Sequence, residues 1–285
     1  MRVLCTIILV GLIFLSGMNC FAQKKSKLNT NGKGTLFGYA AYNRSAYAPA
    51  KVTFEGADYN FRLTNTRFSD TEDGTNLGNF FDSGSPQFNL HLGYYFANKW
   101  ALTFGMDRLN YFMREGAVTL DGSFAPGAHA DFTGNYNDQN IDINRDQIFL
   151  RQQSGVNFFR IGVQRTDQWY KSRKGKFAFN TNAGIGLGAL FSSADFTFDG
   201  STAKNVTSLS GIGLSAHAGL RFDFFQHLFL HTMISGGVLN QRNVLLSSDE
   251  SESSKHVIGY ISPEIGVGFI LFARPTNGCG TCPQW

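Results

Sequence analysis

The sequence predicts an all-β fold, an antiparallel up-and-down transmembrane β-barrel of eight strands, and three observations carry that expectation. Stretches such as "GIGLSAHAGLRFDFF" (211–225) alternate strictly between apolar residues and small or polar ones, the signature of a strand with two unlike faces. The gaps between such stretches come in two lengths, short and long, in alternation. After residue 22 no run of about 18 apolar residues occurs, so a crossing by helix is not expected.

Composition agrees. The chain has 285 residues and is 42% hydrophobic but only 16% charged, with 32 Gly and 28 Phe, against a typical charged share of ~25%. The formal net charge is +4 and the Lys and Arg residues are scattered. That is not the basic patch of a nucleic-acid-binding protein, and no nucleic-acid partner is expected.

The first element is a targeting segment. "MRVLCTIILVGLIFLSGMNCFAQ" has Arg2, an apolar core from Val3 to Leu15 and then small residues, the order of a secretory signal whose core is too short to span a bilayer. Cleavage after Ala22 (signal 1–22) places Cys20 at −3. Lipidation of Cys20 is the weaker reading, because Met18 and Asn19 precede it. Cys5 and Cys20 leave with the signal. The remaining thiols lie in the tail "GCGTCPQW", as suits an oxidising compartment. "QKKSKLNTNGKG" (23–34) is polar and aperiodic and reads as a periplasmic linker.

Eight strands follow, at 35–45, 86–96, 99–113, 155–166, 176–191, 209–224, 227–241 and 257–272. The second and third are joined by "ANK", the sixth and seventh by "FQ", and the fourth and fifth by "DQWYKSRKG". The other four connections are long and polar, such as 46–85 and 242–256. Transmembrane barrels pair short periplasmic turns with long extracellular loops and keep both termini periplasmic. A tilted strand needs only ~9–11 residues to cross. Ten strands, with "KVTFEG" and "YNFRLTNTRF" (51–68) as a further hairpin, is the alternative count. That hairpin is expected to project above the membrane instead.

The faces support the membrane reading. In the second strand Phe88, Leu90, Leu92, Tyr94 and Phe96 alternate with Gln87, Asn89, His91, Gly93 and Tyr95. In the fifth, Phe177, Phe179, Ala183, Ile185 and Leu187 alternate with Asn180, Asn182, Gly184, Gly186 and Gly188. In the eighth, Val257, Ile261, Ile265, Val267, Phe269 and Leu271 oppose Tyr260, Ser262, Glu264, Gly266 and Gly268. Charges and glycines share one face, so the apolar face is the one that meets lipid. Strand ends carry Phe37, Tyr39, Trp100, Phe112, Trp169, Tyr170 and Phe225, as an aromatic girdle would. Pro263 lacks an N–H inside the eighth strand, which predicts a bulge or a gap in the ladder.

The units "HLGYYFANKWALTFGMD" and "AGLRFDFFQHLFLHTMISGG" resemble the strand–turn–strand repeats of OmpA-like eight-stranded outer-membrane β-barrel proteins of Gram-negative bacteria. The resemblance spans roughly 35–272 and implies an outer-membrane location. It implies no catalytic motif, because the fold hosts anchors, adhesins, small-solute proteins and lipid-modifying enzymes alike. Against that pattern, no downstream peptidoglycan-binding domain is expected from this sequence, and the residues after Phe272, 273–285, are expected to form a periplasmic tail.

Four sets of residues carry candidate chemistry. The inward face gathers Arg44, Arg160 and Arg221 with Asp107, Asp223 and Glu264, and His91, His217 and His231 among them. An eight-stranded barrel is only wide enough for side chains to fill, so mutual pairing in a closed polar core is the simpler reading. Alternatively, Ser235 or Ser215 with His217 and Glu264 could form an esterase-like set acting on lipid A or phospholipid. Inward, mid-depth positions are awkward for lipid chemistry. Asp138, Asn140 and Asp142 alternate as Ca²⁺ ligands could, but without the Gly and distal Glu of an EF-hand. A solvated face of an extracellular hairpin is the plainer account. Cys279 and Cys282 form a CxxC, for which a disulfide clipping the tail is the default, ahead of a redox pair or half a zinc site.

The expectation for function is a non-enzymatic outer-membrane barrel displaying large loops, structural or partner-binding, without a cofactor. Its expected partners are outer-membrane lipids and outer-membrane or periplasmic proteins. A lipid-modifying enzyme and a narrow small-solute channel are the alternatives.

Overall fold

The computed structural model describes residues 29–72, 87–129, 131–248 and 250–272. The signal segment and the Cys279–Cys282 pair lie outside the described residues. The strands are β1 (Thr35–Asn43), β2 (Ala46–Tyr47), β3 (Ala50–Glu55), β4 (Tyr59–Thr66), β5 (Phe68–Ser69), β6 (Phe88–Ala97) and β7 (Trp100–Met113). They continue with β8 (Gly116–Phe124), β9 (Gly134–Ile143), β10 (Ile148–Lys171), β11 (Phe177–Phe198), β12 (Ser201–Phe224), β13 (Leu228–Leu245) and β14 (Ser253–Phe272).

Among the described residues, eight strands close a ring in the order β1-β6-β7-β10-β11-β12-β13-β14, and β1 pairs back onto β14. Every pairing in the ring is antiparallel. The fold is the transmembrane barrel that the alternation predicts. The 51–68 segment forms β3 and β4, which hydrogen-bond to the first residues of β14 and to β8 rather than entering the ring.

The lateral surface of the ring is an apolar belt. Leu92, Phe104, Ile185, Leu187, Ile212, Leu214 and Val267 all point outward and are exposed, Leu187 to 68%. Hydrocarbon is the solvent such a belt requires, because a lipid-facing strand with its backbone paired on both sides leaves no polar group unsatisfied.

Above the belt, on the side of the long connections, the same strands exchange the polarity of their faces. On β11 the inward residues run from Asn180, Asn182 and three glycines to Leu190, Ala194, Phe196 and Phe198, all four buried. The outward residues change from Ile185 and Leu187 to Ser193, Asp195 and Thr197. A bulge at Ser210 shifts the register between β11 and β12, so that Ser210, Ser208 and Val206 turn inward while Leu209 stays on the belt. Together with β3, β4 and β8, these strand ends enclose an apolar core that includes Val52, Phe54, Phe61, Leu63, Leu120, Phe124, Ile148, Leu150, Phe196 and Phe198. Water has replaced lipid outside, and the apolar side chains have moved inside to escape it.

This extension corrects the length of the predicted loops. The stretch 192–208, expected as a long loop, is a continuation of β11 and β12 around the turn Asp199-Gly200. Its φ values of +48° and +77° make the tight hairpin turn that Asp-Gly favours. Likewise β10 begins at Ile148, and β8 and β9 occupy most of the connection before it.

Pro263 produces a gap and no bulge. The β13–β14 register runs unbroken through Ile234–Pro263. On the other side β1 ends at Asn43 opposite Glu264, and pairing resumes only at Ala46–Ile261 in β2. The Pro263 carbonyl still accepts from the Arg44 N–H at 3.2 Å, so the missing donor falls where the ladder is already interrupted.

Candidate functional site

The interior of the membrane-spanning ring is the place where this chain concentrates polar chemistry. Each of its three histidines stands opposite a glycine on the next strand: His91–Gly105, His217–Gly184 and His231–Gly266. A Cβ on Gly105 would come within 2.1 Å of His91 Nδ1, and one on Gly266 within 2.3 Å of His231 Nε2. The glycines thus supply the volume into which the rings fold.

Arg160 on β10 organises the centre. Its Nε lies 2.5 Å from Asp107 Oδ2 on the neighbouring strand β7, and Asp107 Oδ1 lies 2.6 Å from His91 Nε2. The other guanidinium nitrogens reach His91 Nε2 (3.4 Å), His217 Nδ1 (3.3 Å) and Ser215 Oγ (3.4 Å). Tyr39 stacks on His91 with ring centroids 4.9 Å apart and meets His231 edge-on at 4.4 Å. Glu264 takes a hydrogen bond from the Asn89 amide and faces His231 Nε2 at 3.9 Å. Asn43 donates in turn to Asn89 at 3.0 Å. All these groups are buried. A buried charge without a partner costs several kcal/mol, at least about 3, so the pairing is a condition of the fold.

A second cluster closes the end with the short turns. Arg221 makes a two-pronged pair with Asp223, 2.8 and 3.1 Å, donates to Tyr95 Oη at 2.9 Å, and packs over the Phe229 ring. Residues 29–34, which composition reads as the end of a linker, dock into this mouth. Thr30 donates to Asp223 at 2.7 Å and Asn31 donates to Asn180 at 3.0 Å, while the Asn31 side-chain oxygen accepts from Arg221. Both residues are buried, and the Asn31 carbonyl accepts from the Lys99 N–H.

Towards the long connections the polar interior ends in a ring of Gln152, Gln241, Ser192 and Ser210. Gln241 Nε2 lies 2.6 Å from Ser192 Oγ and Ser192 Oγ lies 2.7 Å from Ser210 Oγ. The apolar core of the extension lies beyond it.

The structure therefore unites most of the inward residues singled out in the sequence and separates one. Arg44 follows the end of β1 and turns to Asp70, 3.7 Å away, and to the Tyr42 ring, outside the Arg160 cluster. His217 and Ser235 do face each other across β12 and β13. Their hydrogen bonds lead elsewhere, however: the His217 ring to Arg160 and Gln164, and the Ser235 hydroxyl to the Ser262 carbonyl at 3.3 Å. Ser235, Ser215 and His217 are all buried, and Glu264 is committed to Asn89. No hydrolytic relay is assembled there. Asp138, Asn140 and Asp142 lie exposed on β9 with Ile143 buried on the opposite face. Asn140 accepts from Thr119, and among the described residues no three metal-binding side chains gather. Thr30, Asn31, Tyr39, Asn89, Tyr95 and Asn180 are the members that sequence reasoning missed. Each is uncharged, and the signal pointing to Asn89, Tyr95 and Asn180 was their place on the inward face. Tyr39 corrects the expectation of an aromatic girdle: together with Phe37 and Phe112 it is buried and turns away from lipid, while Trp100, Trp169, Tyr170 and Phe225 are exposed.

No protein-family model matches the chain, and no curated protein sequence matches it. Solved structures with a similar course are outer-membrane proteins. OprG from Pseudomonas aeruginosa is 13% identical, with a TM-score of 0.38, over 86% of this chain and 99% of that one. The N-terminal β-barrel domain of Pseudomonas aeruginosa OprF is 10% identical, with a TM-score of 0.36, over 84% and 99%. Ail, the attachment invasion locus protein of Yersinia pestis, is 12% identical, with a TM-score of 0.36, over 84% and 99%. At this distance the barrel assignment rests on the chain's own strand pairing.

Proposed function

We propose that this chain is a non-enzymatic integral outer-membrane protein whose sealed barrel carries a rigid extracellular platform for binding a partner. The short turns, the docked 29–34 segment and the end of β14 face the periplasm in this reading. The observation that carries it is the combination of a blocked interior with a platform that has its own core. Arg160–Asp107, Arg221–Asp223 and the Gln152–Gln241 ring obstruct any solute path, so the barrel serves as an anchor. The apolar core above it is larger than an anchor needs. It holds β9 as an edge strand, which among the described residues pairs only with β8. An open strand edge is a template for pairing with another chain.

Two measurements test this. Reconstituted protein in planar bilayers is expected to give no steady single-channel steps, and a stable conductance would reinstate the channel alternative. Affinity purification from solubilised outer membranes is expected to recover a partner with the wild-type chain. It is expected to lose that partner when Asn137→Lys and Asp142→Lys charge the β9 edge. Recovery of the chain alone in both cases refutes the partner-binding role.

A further inference from the structure

The turn between β10 and β11 reads Lys171-Ser-Arg173-Lys174-Gly-Lys176, the densest cluster of cations among the described residues. Arg173, Lys174 and Lys176 have no acidic partner among the described residues. Asp167, the nearest acid along β10, already accepts from Arg165 (2.7 Å) and Lys99 (3.0 Å). Asp223 on the adjoining strand β12 points inward to Arg221.

The turn is also held in shape. The Gly175 N–H donates to the Ser172 carbonyl and the Ser172 N–H to the Phe177 carbonyl, both at 2.8 Å, and Phe177 N–H donates to Ser172 Oγ at 3.1 Å. The β12–β13 turn braces it from the side: the Phe225 N–H donates to the Lys176 carbonyl at 2.8 Å. Phe225 and Gln226 adopt φ values of +53° and +69°, the paired left-handed conformations of a tight hairpin turn.

Immediately preceding the cations, Trp169 and Tyr170 are 72% and 57% exposed. The Trp169 indole N–H donates to Thr181 Oγ1 at 2.9 Å, which fixes the ring against the outer face of β11. Phe177, Phe179 and Phe222 continue the aromatic surface towards the belt.

We propose that the 171–176 turn, with Trp169 and Tyr170, is a binding surface for anionic phospholipid headgroups of the leaflet on the short-turn side. The cations sit next in chain to the aromatic rim of the belt. A phosphate held by Arg173, Lys174 and Lys176 therefore has its acyl chains beside Phe177 and Phe222, as a lipid does and as free phosphate or an acidic protein does not. Basic side chains at a bilayer surface attract anionic lipid, and the guanidinium and ammonium groups provide charge-assisted bonds to phosphate oxygens. The proposal rests on the belt lying in a bilayer and is independent of whether the opposite end binds a partner.

The test uses Trp169 as its own reporter. The full chain with Trp100→Phe and Trp285→Phe is reconstituted in phosphatidylcholine containing dibrominated phosphatidylglycerol or, at equal mole fraction, dibrominated phosphatidylcholine. Heat-modifiable mobility on gels confirms that each variant is folded. Quenching of Trp169 is expected to favour phosphatidylglycerol severalfold, up to roughly fivefold for each contributing cation. It is also expected to weaken in high salt. Adding Arg173→Gln, Lys174→Gln and Lys176→Gln is expected to bring the preference to unity. Equal quenching by the two lipids in the parent, or a preference that survives the triple substitution, overturns the proposal.

Discussion

Asp107→Ala is the substitution that most directly examines whether the barrel interior is held by paired charge. It removes the carboxylate that lies 2.5 Å from Arg160 and 2.6 Å from His91. The Arg160 guanidinium, only 3% exposed, is left facing His91 and His217. Breaking a buried pair by removing one partner costs about 3–5 kcal/mol, because the remaining charge stays desolvated. With an m-value of about 2 kcal/mol/M, the urea midpoint should fall by about 1.5–2.5 M. Lys255→Ala is the matched control. Its pair with Glu55 is 2.7 Å long but half-exposed, and such pairs contribute about 1 kcal/mol or less. Asp107→Leu combined with Arg160→Met removes both charges and should recover most of the loss. Refolding each variant into detergent micelles and following tryptophan fluorescence in urea gives the comparison. Equal midpoints for Asp107→Ala and Lys255→Ala would refute the argument that the interior pair is desolvated.

The remaining predictions concern the two ends. His256, just beyond the outermost belt residue of β14, is packed parallel to Tyr111 at 5.5 Å, and burial pushes its pKa down to about 3. The folded extension therefore holds neutral imidazole. Its stabilising contribution is complete above about pH 6.5 and is lost, at about 1.4 kcal/mol per pH unit, as the pH falls towards 3. Amide exchange around Val52–Phe54 should reveal easier opening at pH 5 than at pH 7.5. His256→Phe should abolish that difference, and a flat response in the wild type would contradict the assignment. Asn31→Leu removes an acceptor from Arg221 and should cost about 1–3 kcal/mol. The expected readout is faster tryptic cleavage at Lys33, and an unchanged rate would mean the docked segment is not held by this contact. Phe61→Ala should cost about 3–5 kcal/mol, confined to the extension. Proteolysis should attack residues 50–66 while the heat-modifiable band of the barrel persists; loss of that band would show that the two parts unfold together.

The strands of the belt were legible because each faces two uniform solvents. Strand β12 is the clearest case. From Ile212 to Leu220 every second residue meets lipid and every intervening one meets the polar interior, so the alternation survives across the whole crossing. The extension was illegible for the converse reason. At Ser210 a bulge shifts the parity of β12, and on β10 the register against β11 shifts between Arg151 and Val156. Past those points the two faces exchange polarity, so a pattern extrapolated from the belt fails just where the strand goes on. Asp199-Gly200 was the available signal. It is a hairpin dipeptide between Phe196, Phe198 and the alternating residues after it, inside a stretch whose composition suggests a loop. Within the interior, charge drew attention to Arg160, Asp107 and Arg221. Asn89 and Asn31 were passed over because an uncharged residue announces no need for a partner, and Tyr39 was read as a girdle aromatic because alternation alone does not say which way a strand-end tyrosine turns.

The antiparallel β-barrel class, the lipid-facing side and the gathering of charge on the inward face follow from the linear sequence, because alternation and charge are local properties that lipid and low dielectric act on residue by residue. Only the tertiary structure decided which charges pair. The Arg160–Asp107 and Arg221–Asp223 partnerships, the departure of Arg44 to Asp70, and the commitment of the facing residues His217 and Ser235 to different hydrogen-bond partners depend on register and side-chain direction across neighbouring strands. The docking of Thr30 and Asn31 likewise needed the mouth formed by Arg221, Asp223 and Asn180, residues some 150 to 190 positions away in the chain. No local pattern encodes a contact over that distance, and it exists only once the ring has closed.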